Sequence, residues 1–205
     1  MSLWAIVPVK PLRRGKSRLA GVLTEEERTF LNYNMLGNTM KALTGVTGIH
    51  QVLVISRDPA ALALAREYGA RTVMEDSNSE LNAALQRATI VAAMYAAQRV
   101  LVLPADLPLI TPGNIQALIA RAIKPPEIVI APDRRREGTN ALLMNPAGLI
   151  QYAFGPNSFQ AHVQEAQKFG VRVDVFEDPA FALDLDVPED LEVLRQMETS
   201  LVIQS

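Results

Sequence analysis

Short apolar runs alternate with longer amphipathic stretches along the whole chain. Residues 3–9 (LWAIVPV) are apolar throughout, the pattern of a buried strand. The same reading predicts strands over 51–56 (QVLVIS), 71–74 and 99–103 (RVLVL), the last being the strongest candidate for a central strand. Residues 127–131 (EIVIA), 139–144 (TNALLM) and 171–175 complete the set. Helices fall between them, and capping chemistry marks their starts. Thr24 with Glu27 forms a capping box, and the helix behind it should reach about residue 43. Asp58 followed by Pro59 is an N-cap with proline at the first helical position, and Gly69 suits the C′ end. Residues 79–98 are alanine-rich and predict a long helix, and Thr111-Pro112 opens another to about residue 123. Residues 157–169 and 188–197 predict the last two, with Glu189 and Asp190 favourable at a helix N-terminus.

Strands alternating with helices of this length predict a three-layer α/β domain with a mainly parallel central sheet, one domain over residues 1–205. The two strands joined by residues 132–138 leave a second option open, an antiparallel excursion. Ligands of open parallel sheets bind beyond the carboxyl ends of the strands, so the segments after each strand are the ones to inspect.

The composition, 49% apolar and 20% charged, is that of a soluble globular chain. No apolar run approaches the roughly 20 residues of a membrane helix, and the chain opens on a strand-like run with no signal-peptide pattern. No membrane partner is expected, and the expected location is cytoplasmic. The absence of cysteine excludes disulfides and thiolate metal sites, and the two histidines, His50 and His162, are too few for a typical zinc site. A net charge of −2 argues against a nucleic-acid partner. The charge is uneven, however. Lys10, Arg13, Arg14, Lys16 and Arg18 place five cations within nine residues, and Arg134, Arg135 and Arg136 add three in a row. Such clusters suit either a compact anionic ligand or a solvated face.

The first cluster follows the first strand, where a phosphate-binding loop belongs, but it lacks the glycine spacing of a dinucleotide or Walker loop. Lysine offers a mobile charge and arginine a planar fork, both suited to phosphate oxygens. Asp106, in Pro104-Ala105-Asp106-Leu107-Pro108, follows the predicted central strand. It reads either as a turn aspartate or as a Mg²⁺ ligand, since Mg²⁺ is held by one or two carboxylates plus phosphates and waters. A second acidic patch runs Asp184-Leu185-Asp186-Val187-Pro188-Glu189-Asp190. Helix capping by Asp186 accounts for it without a metal, apart from Asp184. Thr139 opens a strand after the arginine triplet, and Gly155-Pro156-Asn157-Ser158 leads into a helix whose free N–H groups could hold an anion. Asn157 or Ser158 is also an ordinary N-cap.

Taken together, PVKPLRRGKSRLA, PADLP, PDRRREGTNALL, FGPNSFQAH and DLDVPEDL resemble one family over residues 3 to about 195. It is the phosphoenolpyruvate or 2-phospho-L-lactate guanylyltransferase family of coenzyme F-420 biosynthesis. PADLP and DLDVPEDL are shared with the wider nucleotidyltransferase superfamily. The resemblance implies a Rossmann-like domain, GTP as substrate, Mg²⁺ and a homodimer. It implies that Lys16 and Arg18, with Lys10 nearby, contact the GTP phosphates and that Asp106 binds metal with Asp184 or Asp186. It further implies that Thr139, Gly155 and Ser158 hold the acceptor, and that Asn82 lies near the base. Glu80 stands where the family often has glycine.

The substrate's own phosphate would be the nucleophile, so the lack of a histidine or cysteine constellation is expected. Phosphoenolpyruvate is the favoured acceptor, with 2-phospho-L-lactate and 3-phosphoglycerate as alternatives. A molybdopterin or other nucleotidyltransferase is the competing enzyme, but those usually carry a glycine-rich first loop, and Gly15 is the only glycine between Leu3 and Ala20. A non-catalytic nucleotide-binding module is the competing class, and the presence of both acidic patches counts against it.

Overall fold

A computed structural model describes residues 2–75 and 80–203, with side chains described as far as residue 196. The strands are β1 (Leu3–Val9), β2 (Ile49–Ser56), β3 (Arg71–Met74), β4 (Arg99–Val102), β5 (Glu127–Pro132), β6 (Thr139–Asn145) and β7 (Arg172–Val175). The helices are α1 (Glu25–Thr44), α2 (Pro59–Glu67), α3 (Leu81–Met94), α4 (Pro112–Ala120), α5 (Ser158–Lys168), α6 (Pro179–Ala182) and α7 (Pro188–Ile203). One sheet contains the seven strands in the order β3-β2-β1-β4-β6-β5-β7.

Six strands run one way and β6 runs against its two neighbours, β4 and β5. The option of an antiparallel excursion is therefore the one realised, since a short connection can join only antiparallel neighbours. Because β6 is reversed, its first residue, Thr139, lies at the same sheet edge as the carboxyl ends of the others; Pro132 at the end of β5 pairs with it. The strand order reverses between β1 and β4, a topological switch point where a crevice opens.

Alternation along β1 shows how the three layers are held. Leu3, Ala5, Val7 and Val9 face one core, with Leu36 and Met40 of α1, Leu62 of α2, Ile115 and Leu118 of α4 and Phe181 of α6. Trp4 and Ile6 face the other, with Leu85 and Ala88 of α3 and Phe159 of α5. A strand buried on both faces must be apolar at every position, which is why residues 3–9 are.

Capping chemistry sets most helix starts. Thr24 and Glu27 form the capping box reciprocally, Thr111 does the same with Asn114, and Asp58 accepts from the Ala60 N–H. Gly69 adopts φ +78° just past α2. Helix α7 runs to Ile203, beyond the expected end at residue 197, and three other elements also differ from expectation. Helix α3 covers Leu81–Met94 and not 79–98: Ala96 turns left-handed at φ +59°, and the Ala97 N–H bonds back to the Ala92 carbonyl. Periodicity does not register a turn of that kind in an alanine run. Residue 79 lies outside the described residues. Asn157 sits at the N-cap position of α5, but at φ +56° its side chain makes no capping bond. Helix α6 is a single turn, too short for a periodic signal.

Candidate active site

The basic loop after β1 is held in shape before any charge is considered. The Leu12 N–H donates to Asp58 Oδ2 (2.8 Å), and Asn32 Nδ2 donates to the Leu12 carbonyl (2.7 Å). The Arg14 and Gly15 N–H groups both donate to the Pro11 carbonyl. A Cβ on Gly15 would lie 2.6 Å from Asn32 Nδ2, so a side chain there would displace the Asn32 amide that holds the Leu12 carbonyl. Lys16 follows in the left-handed region at φ +56°. This turn sends its side chain inward, where the side chain is 7% exposed.

The Lys16 ammonium lies between two carboxylates, 2.9 Å from Asp106 Oδ2 and 2.8 Å from Asp186 Oδ1. Asp106 follows β4, and Asp186 comes from 80 positions later in the chain. The backbone explains their meeting: the Leu185 N–H donates to the Asp106 carbonyl (3.1 Å), tying the two loops together. Asp184 joins them, its Oδ1 accepting from Asn140 Nδ2 (3.3 Å), while the same amide donates to the Phe181 carbonyl (2.8 Å). The capping that the sequence assigns to Asp186 is done by Asp190. Its Oδ2 accepts from the Asp186 and Val187 N–H groups, both at 2.8 Å, and its other oxygen pairs with Arg134. Asp186 is thereby released to face Lys16.

The charges sort these groups. Burial alone would depress the Lys16 pKa, but Asp106 and Asp186 outweigh it and hold the ammonium protonated above its usual range. Burial would raise Asp186, but Lys16, with Lys10 and Arg18 farther out, keeps its carboxyl below the usual range. Asp184 has no such cation. Burial first, and then repulsion from Asp106, push it up to about 6 against the Asn140 hydrogen bond. Among the described residues no group of three or more His, Asp or Glu side chains is placed so that it could hold a metal ion. The donor set nonetheless fits Mg²⁺, which takes few protein ligands, all oxygen, and already holds a cation between two of its carboxylates.

A cleft of about 780 Å³ runs from this cluster along the carboxyl edge of the sheet. Lys10, Lys16, Arg18, Asp106, Asp184 and Asp186 line one part, and Thr139, Gly155 and Ser158 another. Gly155 adopts φ +141°, a conformation side chains resist, and is exposed; Ser158 is buried at the first turn of α5. The Phe159 N–H donates to the Glu137 carbonyl (3.0 Å), joining that helix start to the β5–β6 connection, and the Ser158 N–H donates to the Gly155 carbonyl (3.2 Å), so the first two N–H groups expected to be free for an anion are already taken. Nine of the ten expected contacts thus share one cleft.

Asn82 is the exception and is not among the lining residues. Its side chain accepts from the Phe154 N–H (2.8 Å) and donates to the Phe154 carbonyl (3.0 Å), pinning the loop that carries Gly155. The arginine triplet is also used differently from an anion cluster. Arg134 pairs with Asp190, and Arg136 pairs with Glu177 and lies over Phe159; neither lines the cleft. Arg13 and Arg14 line an adjoining groove with Lys10 and Arg57.

Sequence reasoning missed Asn140, Asp190 and His162. A polar residue inside an apolar strand, as Asn140 is, was the available signal for the first. Buried His162 takes the Ala153 N–H on Nε2 (2.9 Å), and its Nδ1 lies 3.0 Å from Thr139 Oγ1. Burial pushes its pKa down to about 4, only partly offset by the Ser158 carbonyl and the Glu165 carboxylate, so the ring is neutral.

The guanylyl transferase CofC-like family matches residues 3–198. The chain belongs to that family. Its similarity to the phosphoenolpyruvate guanylyltransferase of Rubrobacter xylanophilus is 48% identity, covering 93% of this chain and 92% of the relative. The 2-phospho-L-lactate guanylyltransferase of Methanocaldococcus infernus is 35% identical, covering 91% and 81%. Among solved structures, a nucleotidyl transferase from Methanothermobacter thermautotroptrophicus overlays with a TM-score of 0.70 at 16% identity, covering 96% of this chain and 97% of that one. That likeness places the CofC-like fold among nucleotidyltransferase-type α/β structures. Among the described residues no helix is long and apolar enough to cross a membrane.

Proposed function

We propose that this chain is a Mg²⁺-dependent guanylyltransferase that joins GMP from GTP to phosphoenolpyruvate, releasing pyrophosphate, in coenzyme F-420 biosynthesis. The observation that carries the reading is the cation-bridged pair Asp106 and Asp186, with Asp184 beside them, in one cleft with Thr139, Gly155 and Ser158. Such a cleft offers an anion-rich metal position, and the hydroxyls of Thr139 and Ser158 beside the Gly155 backbone, to two polyanionic substrates.

In this reading Lys10, Lys16 and Arg18 receive the triphosphate, and Asp106, Asp184 and Asp186 hold Mg²⁺. The metal, when bound, supplies charge neutralisation and a template for the phosphates. Thr139, the Gly155 backbone and Ser158 orient the acceptor. An acceptor phosphate oxygen forms a bond to the α-phosphorus, the bond between that phosphorus and the α–β bridging oxygen breaks, and pyrophosphate leaves with the electron pair. The attacking phosphate is ionised near neutral pH, so no residue has to remove a proton. Catalysis is alignment and charge stabilisation.

Phosphoenolpyruvate is preferred over 2-phospho-L-lactate because the 48% identical relative carries the former name and the 35% identical one the latter. Both present a phosphate and a carboxylate at similar spacing. A cytoplasmic location fits substrates of this kind. The direct test is mass spectrometry of the product from GTP and phosphoenolpyruvate. The expected species is the guanosine diphosphate diester of enolpyruvate, formed in equal amount with pyrophosphate. Formation of GDP and inorganic phosphate instead would overturn the reading, because that cleaves a different bond.

A further inference from the structure

We propose that His162 is a positioning residue of the acceptor site: its Nδ1–H tautomer, fixed by the Ala153 N–H, commits the Thr139 hydroxyl proton to an oxygen of the acceptor. The inference rests on the placement of Thr139 at the acceptor in the function proposed above. It starts from a donor that cannot change roles. The Ala153 backbone N–H can only donate, and it lies 2.9 Å from His162 Nε2. That ring nitrogen must therefore carry a lone pair, and in a neutral imidazole the proton then sits on Nδ1. Nδ1 is 3.0 Å from Thr139 Oγ1 and, as an N–H, can only donate, to that oxygen and toward the Ser158 carbonyl beside the ring. The threonine hydroxyl accepts from the ring and keeps its own proton unspent. Among the described residues the imidazole is its only hydrogen-bond partner.

Thr139 is 5% exposed and lines the cleft. A buried hydroxyl with its proton unspent seeks an acceptor, and an oxygen of a bound phosphate or carboxylate supplies one. With the opposite tautomer the hydroxyl would donate to the ring and present only lone pairs to the cleft, repelling the same oxygen. The ring thus sets the polarity of the contact. It also holds Ala153, one residue before the Phe154 backbone that Asn82 grips from the other side. The edge of Phe154 against the ring, with centroids 4.8 Å apart, completes the clamp.

The test has a spectroscopic arm and a kinetic arm. Two-bond ¹H–¹⁵N correlation of the imidazoles near pH 7, with His50→Gln to assign the two rings, should show His162 protonated on Nδ1. An Nε2–H pattern would overturn the inference. In the kinetic arm, Thr139→Val and His162→Phe should each raise the KM for phosphoenolpyruvate about tenfold or more, the size of one misplaced hydrogen bond to a charged group, with GTP affinity unchanged. The double variant should be no worse than the poorer single one by more than about threefold, because both act through one hydroxyl. A wild-type KM in His162→Phe, or fully additive effects, would overturn it. If His162→Phe does not fold, the Thr139→Val kinetics and the tautomer read on wild-type protein still decide the inference. The tautomer is read on the protein alone. Wild-type protein that used no acceptor with GTP would overturn the function proposed above, whereas the wrong tautomer overturns only this inference.

Discussion

Asp184→Asn should make the protein more stable and less active. The carboxyl is held up to about 6, from an ordinary value of 3.8, by burial first and by the Asp106 charge second. A raised acid pKa means that the folded protein binds more protons than the unfolded chain between about pH 4 and 6. Stability contributed by this group is therefore full below pH 4, falls as pH rises through that window, and stays low above it. A shift of about 2 units corresponds to about 3 kcal/mol. The group is half-buried, and screening by solvent reduces the figure to about 1–2 kcal/mol. An asparagine keeps an oxygen for the Asn140 amide while deleting the charge. For a chain of this size the gain is worth roughly 3–6 °C in Tm. Thermal unfolding with a chelator at about pH 8 and about pH 4 is the assay. Asp184→Asn should melt higher than wild type at the first pH and equally at the second. A lower Tm at pH 8 would refute the reasoning, because it would make the charge stabilising and its neighbours complementary.

Lys16→Met removes the cation between Asp106 and Asp186. It should weaken GTP binding by about tenfold or more while tightening Mg²⁺ binding without nucleotide, since the metal no longer competes with the ammonium; calorimetry showing unchanged affinities for both would contradict the geometry. Gly155→Val should lose acceptor use and retain GTP binding, because φ +141° excludes a β-branched side chain even though a Cβ there would meet open space; wild-type turnover would place the acceptor elsewhere. His162, neutral when folded with a pKa near 4 against 6.5 unfolded, contributes stability that is full above about pH 6.5 and is lost as pH falls toward 4. Its loss should reach about 3 kcal/mol, seen in denaturant titrations as a slope that His162→Gln lacks.

What the sequence made legible was local. Strand β1 could be read because burial on both faces leaves residues 3–9 without a polar position, and the helix starts because Thr24, Asp58 and Thr111 cap their own backbones. Asp106 could be read because a carboxylate after a buried strand sits at the sheet's carboxyl edge. What stayed hidden depends on partners far along the chain. Nothing near Asp186 in sequence says that Asp190 takes over its capping, leaving it to meet Lys16 170 positions away. Asn82 looks like a ligand contact until Phe154, 72 residues on, occupies its amide. The arginine triplet looks like an anion site until Asp190 pairs with Arg134 and Glu177 with Arg136. The resemblance supplied the chemistry of the cleft, and the fold supplied the reason for its charges.

The central claim is that Asp106 and its neighbours make this cleft a guanylyl-transfer site. Pyrophosphate release, followed with a coupled assay in Mg²⁺ over four nucleoside triphosphates and three acceptors, tests it most directly. The account predicts release from GTP with phosphoenolpyruvate, little from the other nucleotides, and a loss of about 10²-fold or more in Asp106→Asn with the fold intact. No release from GTP with phosphoenolpyruvate, 2-phospho-L-lactate or 3-phosphoglycerate, or an Asp106→Asn variant as fast as wild type, would contradict it.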